Sequence, residues 1–236
     1  MENKCKDCTH SKPLPLPMQG SRCELNRLPS ACTDYKKRVE NVTETPEWTE
    51  EVAETARVLT AEQLYDVFGK NKQLCNTYAD ALNSAMLSYK ITNSKRICAF
   101  LATIGVESGR LRYTEELGNI GYFAKYEFNT PLGKRLGNKV IGDGVKFKGR
   151  GLIQITGRYN YEQVSKALGV DFTIEPHRLA NLPYSVTSAA WWWQKHGLNS
   201  IADTENLKAI RKKVNGGLNG YSEFVAIYKT AQKVFI

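Results

Sequence analysis

Beyond residue 59, apolar side chains recur at helical spacing along most of the chain. Thr60 precedes AEQLYDVF with Gln63 three residues on, a capping-box pattern, and Leu64, Val67 and Phe68 fall on one face of the predicted helix. A second amphipathic stretch runs from Asn71 to Tyr89 and breaks at the polar Thr92–Ser94. A third helix is predicted to open with Ser94 as its N-cap. Ile97, Leu101 and Ile104 mark its buried face with Cys98 beside them, and Ser108–Gly109 end it. Glu107 then sits in the last turn, where the helix dipole does not favour a carboxylate.

Residues 118–148 carry no period. Gly118, Gly121, Gly133, Gly137, Gly142 and Gly144 predict a long loop, a length that in a compact domain signals function or mobility. The LIQIT run that follows alternates apolar and polar residues and reads as a short strand, with glycines on either side to admit a backbone or a ligand. Further helices are predicted at Asn160–Leu168, Ser185–His196 and Asn206–Val214, with Pro176 and Pro183 in the connector before the second of these. Asn215–Gly220 breaks the pattern, and a last helix runs from Ser222 to the C-terminus. Trp191, Trp192 and Trp193 cannot share one helical face, so at least one belongs in the core. The fold class is therefore mainly α with a few short strands.

The N-terminal part has a different character. Cys5, Cys8, Cys23 and Cys32 fall in a segment with Pro13, Pro15 and Pro17, too short to bury a core of its own. C-x2-C followed by two later cysteines fits a tetrahedral zinc site, with His10 a possible substitute ligand; two disulfides are the rival. The polar stretch KRVENVTETPEWTEEVAETAR reads as a linker. The expected organisation is a Cys-rich module at 1–36, a linker at 37–58 and a main domain at 59–236.

Charge sharpens the division. Residues 58–236 hold 24 Lys/Arg against 14 Asp/Glu, while the first 57 residues are close to neutral. A basic body favours a polyanionic partner. No long Lys/Arg block or RNA-binding signature is present, so nucleic acid is not expected, and salt-sensitive DNA binding by the cysteine module is the rival to test. No apolar run reaches the roughly 18–20 residues of a membrane span.

Candidate chemistry centres on ATIGVESGRLRYTEE. Glu107 ends an apolar run, and Glu115 and Glu116 follow eight and nine residues later. Cleavage of a sugar–sugar bond uses two carboxyl groups in different settings, one protonated and one ionised. Solvated charge alternation is the bland alternative. His177 and His196 lack zincin spacing and are expected to be structural, as are the thiols Cys75 and Cys98.

Four stretches, ESGRLRYTEE, GDGVKFKGRGLIQITGRYNY, WWWQKHGLNSIAD and RKKVNGGLNG, resemble the family 19 glycoside hydrolases in order and spacing. The likeness covers residues 59–236 and leans to the bacteriophage endolysin branch. It implies a lysozyme-like, chitinase-like helical domain that inverts at the anomeric carbon and needs no catalytic cofactor. By that resemblance Glu107 matches the general acid, Glu116 the second carboxylate with Glu115 as its near rival, and Thr156 the hydroxyl that helps hold water. Gln154, Tyr159, Asn160 and Asn215 match residues that line the sugar groove. Val106 stands where the family usually has His, a residue that is not the proton donor. The implied activity is muramidase-type lysis of peptidoglycan by a monomer; free chitin, or wall binding without catalysis, are the alternatives. MENKCKDCTH has no signal-peptide core, so synthesis in a bacterial host's cytoplasm and holin-dependent release to the wall are what the phage likeness implies.

Overall fold

The structure, a computed structural model, describes residues 58–236. The cysteine module and all of the predicted linker but Val58 lie outside the described residues. At the start of the described chain, Asn83 Oδ1 accepts from the N–H groups of Val58 and Leu59 at 2.8 and 3.0 Å, and its Nδ2 donates to Leu59 O at 2.7 Å.

The first three helices are α1 (Ala61–Phe68), α2 (Lys72–Ser88) and α3 (Ser94–Glu107). The Thr60–Gln63 capping box forms in both directions. The N-cap of α3 is Asn93, not Ser94: its Oδ1 accepts from Arg96 N at 2.9 Å, leaving Ser94 as the first helical residue. The buried face of α3 is also wider than the periodicity indicated. Every residue from Ile97 to Gly105 is buried, so α3 is the central helix and not a surface one.

Short helices follow: α4 (Ile120–Phe123), a 3₁₀ turn at Ala124–Tyr126, α5 (Pro131–Arg135) and α6 (Asp143–Lys146). The predicted loop at 118–148 is thus a lobe of four helical turns, each too brief to show a period. The larger elements resume with α7 (Arg158–Leu168), a 3₁₀ turn at Pro176–Ala180, α8 (Tyr184–Lys195), α9 (Leu198–Asp203), α10 (Leu207–Asn215) and α11 (Tyr221–Phe235). Helix α9 went unread in the sequence because six residues are under two turns.

Packing radiates from α3. Helix α11 lies along it, and α1 touches α11 and α2. A Cβ on Gly105 would stand 2.8 Å from Phe68 Cε1 and 3.0 Å from Ile227 Cδ1, so this glycine lets three helices approach. Trp193 is fully buried, meets Phe100 edge-on at 5.5 Å and donates from Nε1 to Asn199 Oδ1 at 2.8 Å. Trp191 and Trp192 are only partly buried against the core, as three adjacent residues on a helix require. Cys75 and Cys98 are buried free thiols. No described helix is long and apolar enough to cross a membrane.

LIQIT is not a strand. Arg150 and Ile155 exchange both backbone hydrogen bonds, at 3.0 and 2.8 Å, and residues 151–154 are the tight turn between them. Gly151 and Gln154 take left-handed φ of 78° and 58° there. Leu152, Ile153 and Ile155 are all buried, so the apparent alternation does not separate two faces.

Candidate active site

Glu107 closes α3, as the sequence indicated, and its side chain is 19% exposed. Arg211 Nη1 donates to Glu107 Oε1. Arg211 is buried on α10, and its Nε donates to Asn219 O at 2.6 Å. Gly220 closes over this pair: a Cβ there would lie 3.2 Å from both Arg211 Nη2 and Val106 Cγ1. Val106, where the resemblance places a His, is partly buried against the core.

Between the glutamates the chain makes an uncommon turn. Gly109, Arg110 and Leu111 hold successive left-handed φ values of 58°, 59° and 68°. Such conformations cost side-chain-bearing residues about 1 kcal/mol or more each. Ser108 locks the turn: its Oγ donates to Ile104 O at 2.5 Å and accepts from Leu111 N at 2.8 Å, while its carbonyl accepts from Tyr113 N at 2.8 Å.

Glu115 and Glu116 diverge. Glu115 Oε1 accepts from Arg150 Nε at 2.7 Å and lies 3.4 Å from Lys148 Nζ. Burial pushes its carboxyl up, but Arg150 and then Lys148 outweigh that and hold it below the ordinary carboxylate range. Glu115 is thus committed to two cations. Arg150 is in turn fixed by Lys146 O and the Tyr161 hydroxyl, each at 2.8 Å.

Glu116 faces a different set. Its N–H donates to Gly149 O at 2.8 Å, and Gly149 N donates back to Oε2 at 3.0 Å. Tyr126 donates from its hydroxyl to Oε1 at 2.9 Å, and Lys125 Nζ stands 3.9 Å from that oxygen. A Cβ on Gly149 would lie 3.2 Å from both Glu116 Oε2 and Thr156 Oγ1, and 2.6 Å from Gln154 Oε1. The three side chains named in advance therefore meet around one glycine.

The remaining groove candidates divide. Asn160 uses Nδ2 on Thr156 O at 2.8 Å, tying the start of α7 to the threonine turn. Tyr159 is 54% exposed on α7, and Asn215 ends α10 exposed at a left-handed Gly216 cap. Arg211, Tyr126 and Gly149 were missed. Arg211 had a signal, since it follows Ile210 on the inward side of α10; Tyr126, in a segment without period, had none. A shallow depression of about 400 Å³, lined by Asn93, Ser94, Lys95 and Ile236, lies at the other end of α3, roughly 20 Å from Glu107 along the helix. It has no acid among its lining residues and no part in this chemistry. Among the described residues no group of three or more His, Cys, Asp or Glu could hold a metal; Cys5, Cys8, Cys23 and Cys32 lie outside them.

Two half-buried glutamates in unlike surroundings, one on a buried arginine and one beside a threonine hydroxyl, define a class equipped for acid–base hydrolysis. Residues 66–203 match the family model described as Chitinase class I. The chain belongs to family 19 of the glycoside hydrolases. It is 38% identical over 163 residues to a glycosyl hydrolase family 19 domain-containing protein of Haemophilus influenzae, covering 58% of this chain and 78% of that one. It is 32% identical over 131 residues to an endochitinase of Arabidopsis thaliana, but spans only 42% of that protein. In fold it is similar to chitinase C from Streptomyces griseus, with a TM-score of 0.60 at 18% identity over 76% of this chain and 93% of the other. The chain is a chitinase-type glycosidase, and hydrolysis of glycosidic bonds needs no catalytic cofactor in this family.

Proposed function

We propose that this glycosidase acts on peptidoglycan glycan strands at the bacterial cell wall, as a muramidase-type endolysin. The observation that carries the choice of polymer is charge. Of the eight Lys/Arg between Leu117 and Arg158, Lys148 and Arg150 pair with Glu115, Lys139 with Glu162, Arg158 with Asp143 and Lys125 stands near Glu116, which leaves Lys134, Arg135 and Lys146 exposed and outside any ion pair among the described residues. Peptidoglycan carries stem-peptide carboxylates, while chitin is neutral.

In this reading Glu107 is the acid. It gives its proton to the glycosidic oxygen as the C–O bond breaks, and Arg211 keeps the resulting carboxylate in place. Glu116 is the base. It takes a proton from water held with the Thr156 hydroxyl, and the water oxygen bonds to the anomeric carbon from the opposite face. One water is consumed and the configuration inverts. Gln154, Asn160 and Asn215 suit sugar hydroxyls because amides both donate and accept, and Tyr159 offers an exposed ring to a sugar face. Glu115 is set apart as a structural anion. The N-terminal cysteine module would help bind the wall or a partner.

Free chitin is the second reading, favoured by the likeness to the Arabidopsis endochitinase. Digestion of purified peptidoglycan and of chitin, with mass analysis of the fragments, decides between them. N-acetylmuramic acid at new reducing ends supports the proposal; cleavage of chitin alone overturns it.

A further inference from the structure

We propose that Tyr126 is a positioning residue for the Glu116 carboxylate. This rests on the reading of Glu116 as the base. A base must present a lone pair to one water in one direction, and misplacement by about 1 Å can cost on the order of 100-fold in rate. The terminal torsion of a glutamate is broad, so one hydrogen bond does not fix the carboxylate plane. Gly149 N holds Oε2 at 3.0 Å, and the Tyr126 hydroxyl holds Oε1 at 2.9 Å. With one donor on each oxygen the plane is set. About two of the four acceptor directions remain, enough for a water and a further contact.

Tyr126 is itself well anchored. It ends the Ala124–Tyr126 turn, and its carbonyl accepts from Asn138 Nδ2 at 2.6 Å. Asn138 Oδ1 in turn accepts from Arg158 N at 2.8 Å, so the turn is tied to the first residue of α7, two positions beyond Thr156. The Tyr126 ring lies 6.4 Å from that of buried Phe123, and Lys125 Nζ stands 4.7 Å from its centroid. Burial, and then the bond to Glu116, push the phenol up to about 12, so it remains a donor throughout the neutral range. The other charged or titratable groups around Glu116 are Lys125 on the same turn, Glu115 beside it, Lys148 and Arg150 on the glycine-flanked turn, and Tyr161 on α7.

The test is steady-state hydrolysis by the full chain, on whichever of peptidoglycan and chitin hexamer the wild type cleaves. Tyr126→Phe removes one oxygen and keeps the ring. The expected result is a 10- to 100-fold fall in kcat, KM within about twofold of wild type and an unchanged melting temperature. In a Glu116→Gln background the same change is expected to have no further effect, since the group it positions is gone. A kcat within threefold of wild type, or a loss carried wholly by KM, overturns the proposal. If Glu116→Gln alone keeps wild-type kcat, the assignment of the base is what fails. If Glu116→Gln is inactive and Tyr126→Phe is not impaired, only the role of Tyr126 fails.

Discussion

The helical body and the lobe at 117–146 are held together by different physics. Around α3 the body is an apolar core: Cys98, Ala99, Phe100, Leu101 and Ala102 are all at 0% exposure. In the lobe Phe123 is buried but belongs to no part of that core. Polar groups hold the rest of the lobe. Asp143, at 1% side-chain exposure, accepts from Arg158 at 2.8 and 2.5 Å and from the N–H groups of Lys139 and Val140 at 2.7 and 3.2 Å. Glu127 caps Gly142 N at 3.0 Å. Glu107 ends a rod of the body, whereas Glu116 is oriented by the lobe. On the proposed assignment, the acid thus ends a helix of the apolar core and leans on Arg211, while the base is oriented by a hydrogen-bond network.

Substitutions can break that contrast. Phe100→Ala empties the centre of the body and is expected to cost about 3–5 kcal/mol, read as a fall in melting temperature, with activity per folded molecule preserved. Asp143→Asn takes the carboxylate from the half-buried Arg158 and from two backbone N–H groups and is expected to cost about 2–3 kcal/mol. Its effect should be local: hydrogen exchange quickens at 117–147 while α3 and α11 stay protected, and activity falls. Equal loss of protection in both regions would mean that the lobe is not a separate unit. Gly105→Ala pushes a methyl against Phe68 and Ile227 and is expected to cost about 1–3 kcal/mol, again without touching catalysis in the folded fraction.

The smallest effect is that of mild acid. Burial pushes the Asp143 carboxyl up, but Arg158 and two backbone N–H groups outweigh it and hold it below the ordinary range. A carboxyl depressed in the fold contributes stability above its unfolded value, about pH 4, and loses it as the pH falls through the folded value. Stability should therefore decline below about pH 4. The decline is expected to be shallower in Asp143→Asn, measured by urea unfolding at pH 3 and pH 6.

The same contrast governs what the sequence made legible. Helices α1, α2, α3, α8 and α11 are long enough to carry a 3.6-residue period, and they fell within a residue or two of their predicted ends. The lobe did not, because Asn138, Asp143 and Arg158 meet through bonds between residues 15 and 20 apart that leave no local pattern. LIQIT misled because a turn buried on all sides imitates alternation. Within the site, Glu107 was marked by its place at the end of an apolar run, while the parts given to Glu116, Gln154 and Thr156 rested on the family resemblance. The pairing of Arg211 with Glu107, 104 residues away, and of Tyr126 with Glu116, in a segment without period, needed coordinates.

The most direct test is the hydrolysis rate of Glu107→Gln and of Glu116→Gln against wild type, at matched folded concentration and on the polymer that wild type cleaves. Each variant is expected to lose on the order of 1,000-fold or more in kcat while melting at the wild-type temperature. If either stays within tenfold of wild type, that glutamate is not part of the acid–base pair and the account of the site is wrong.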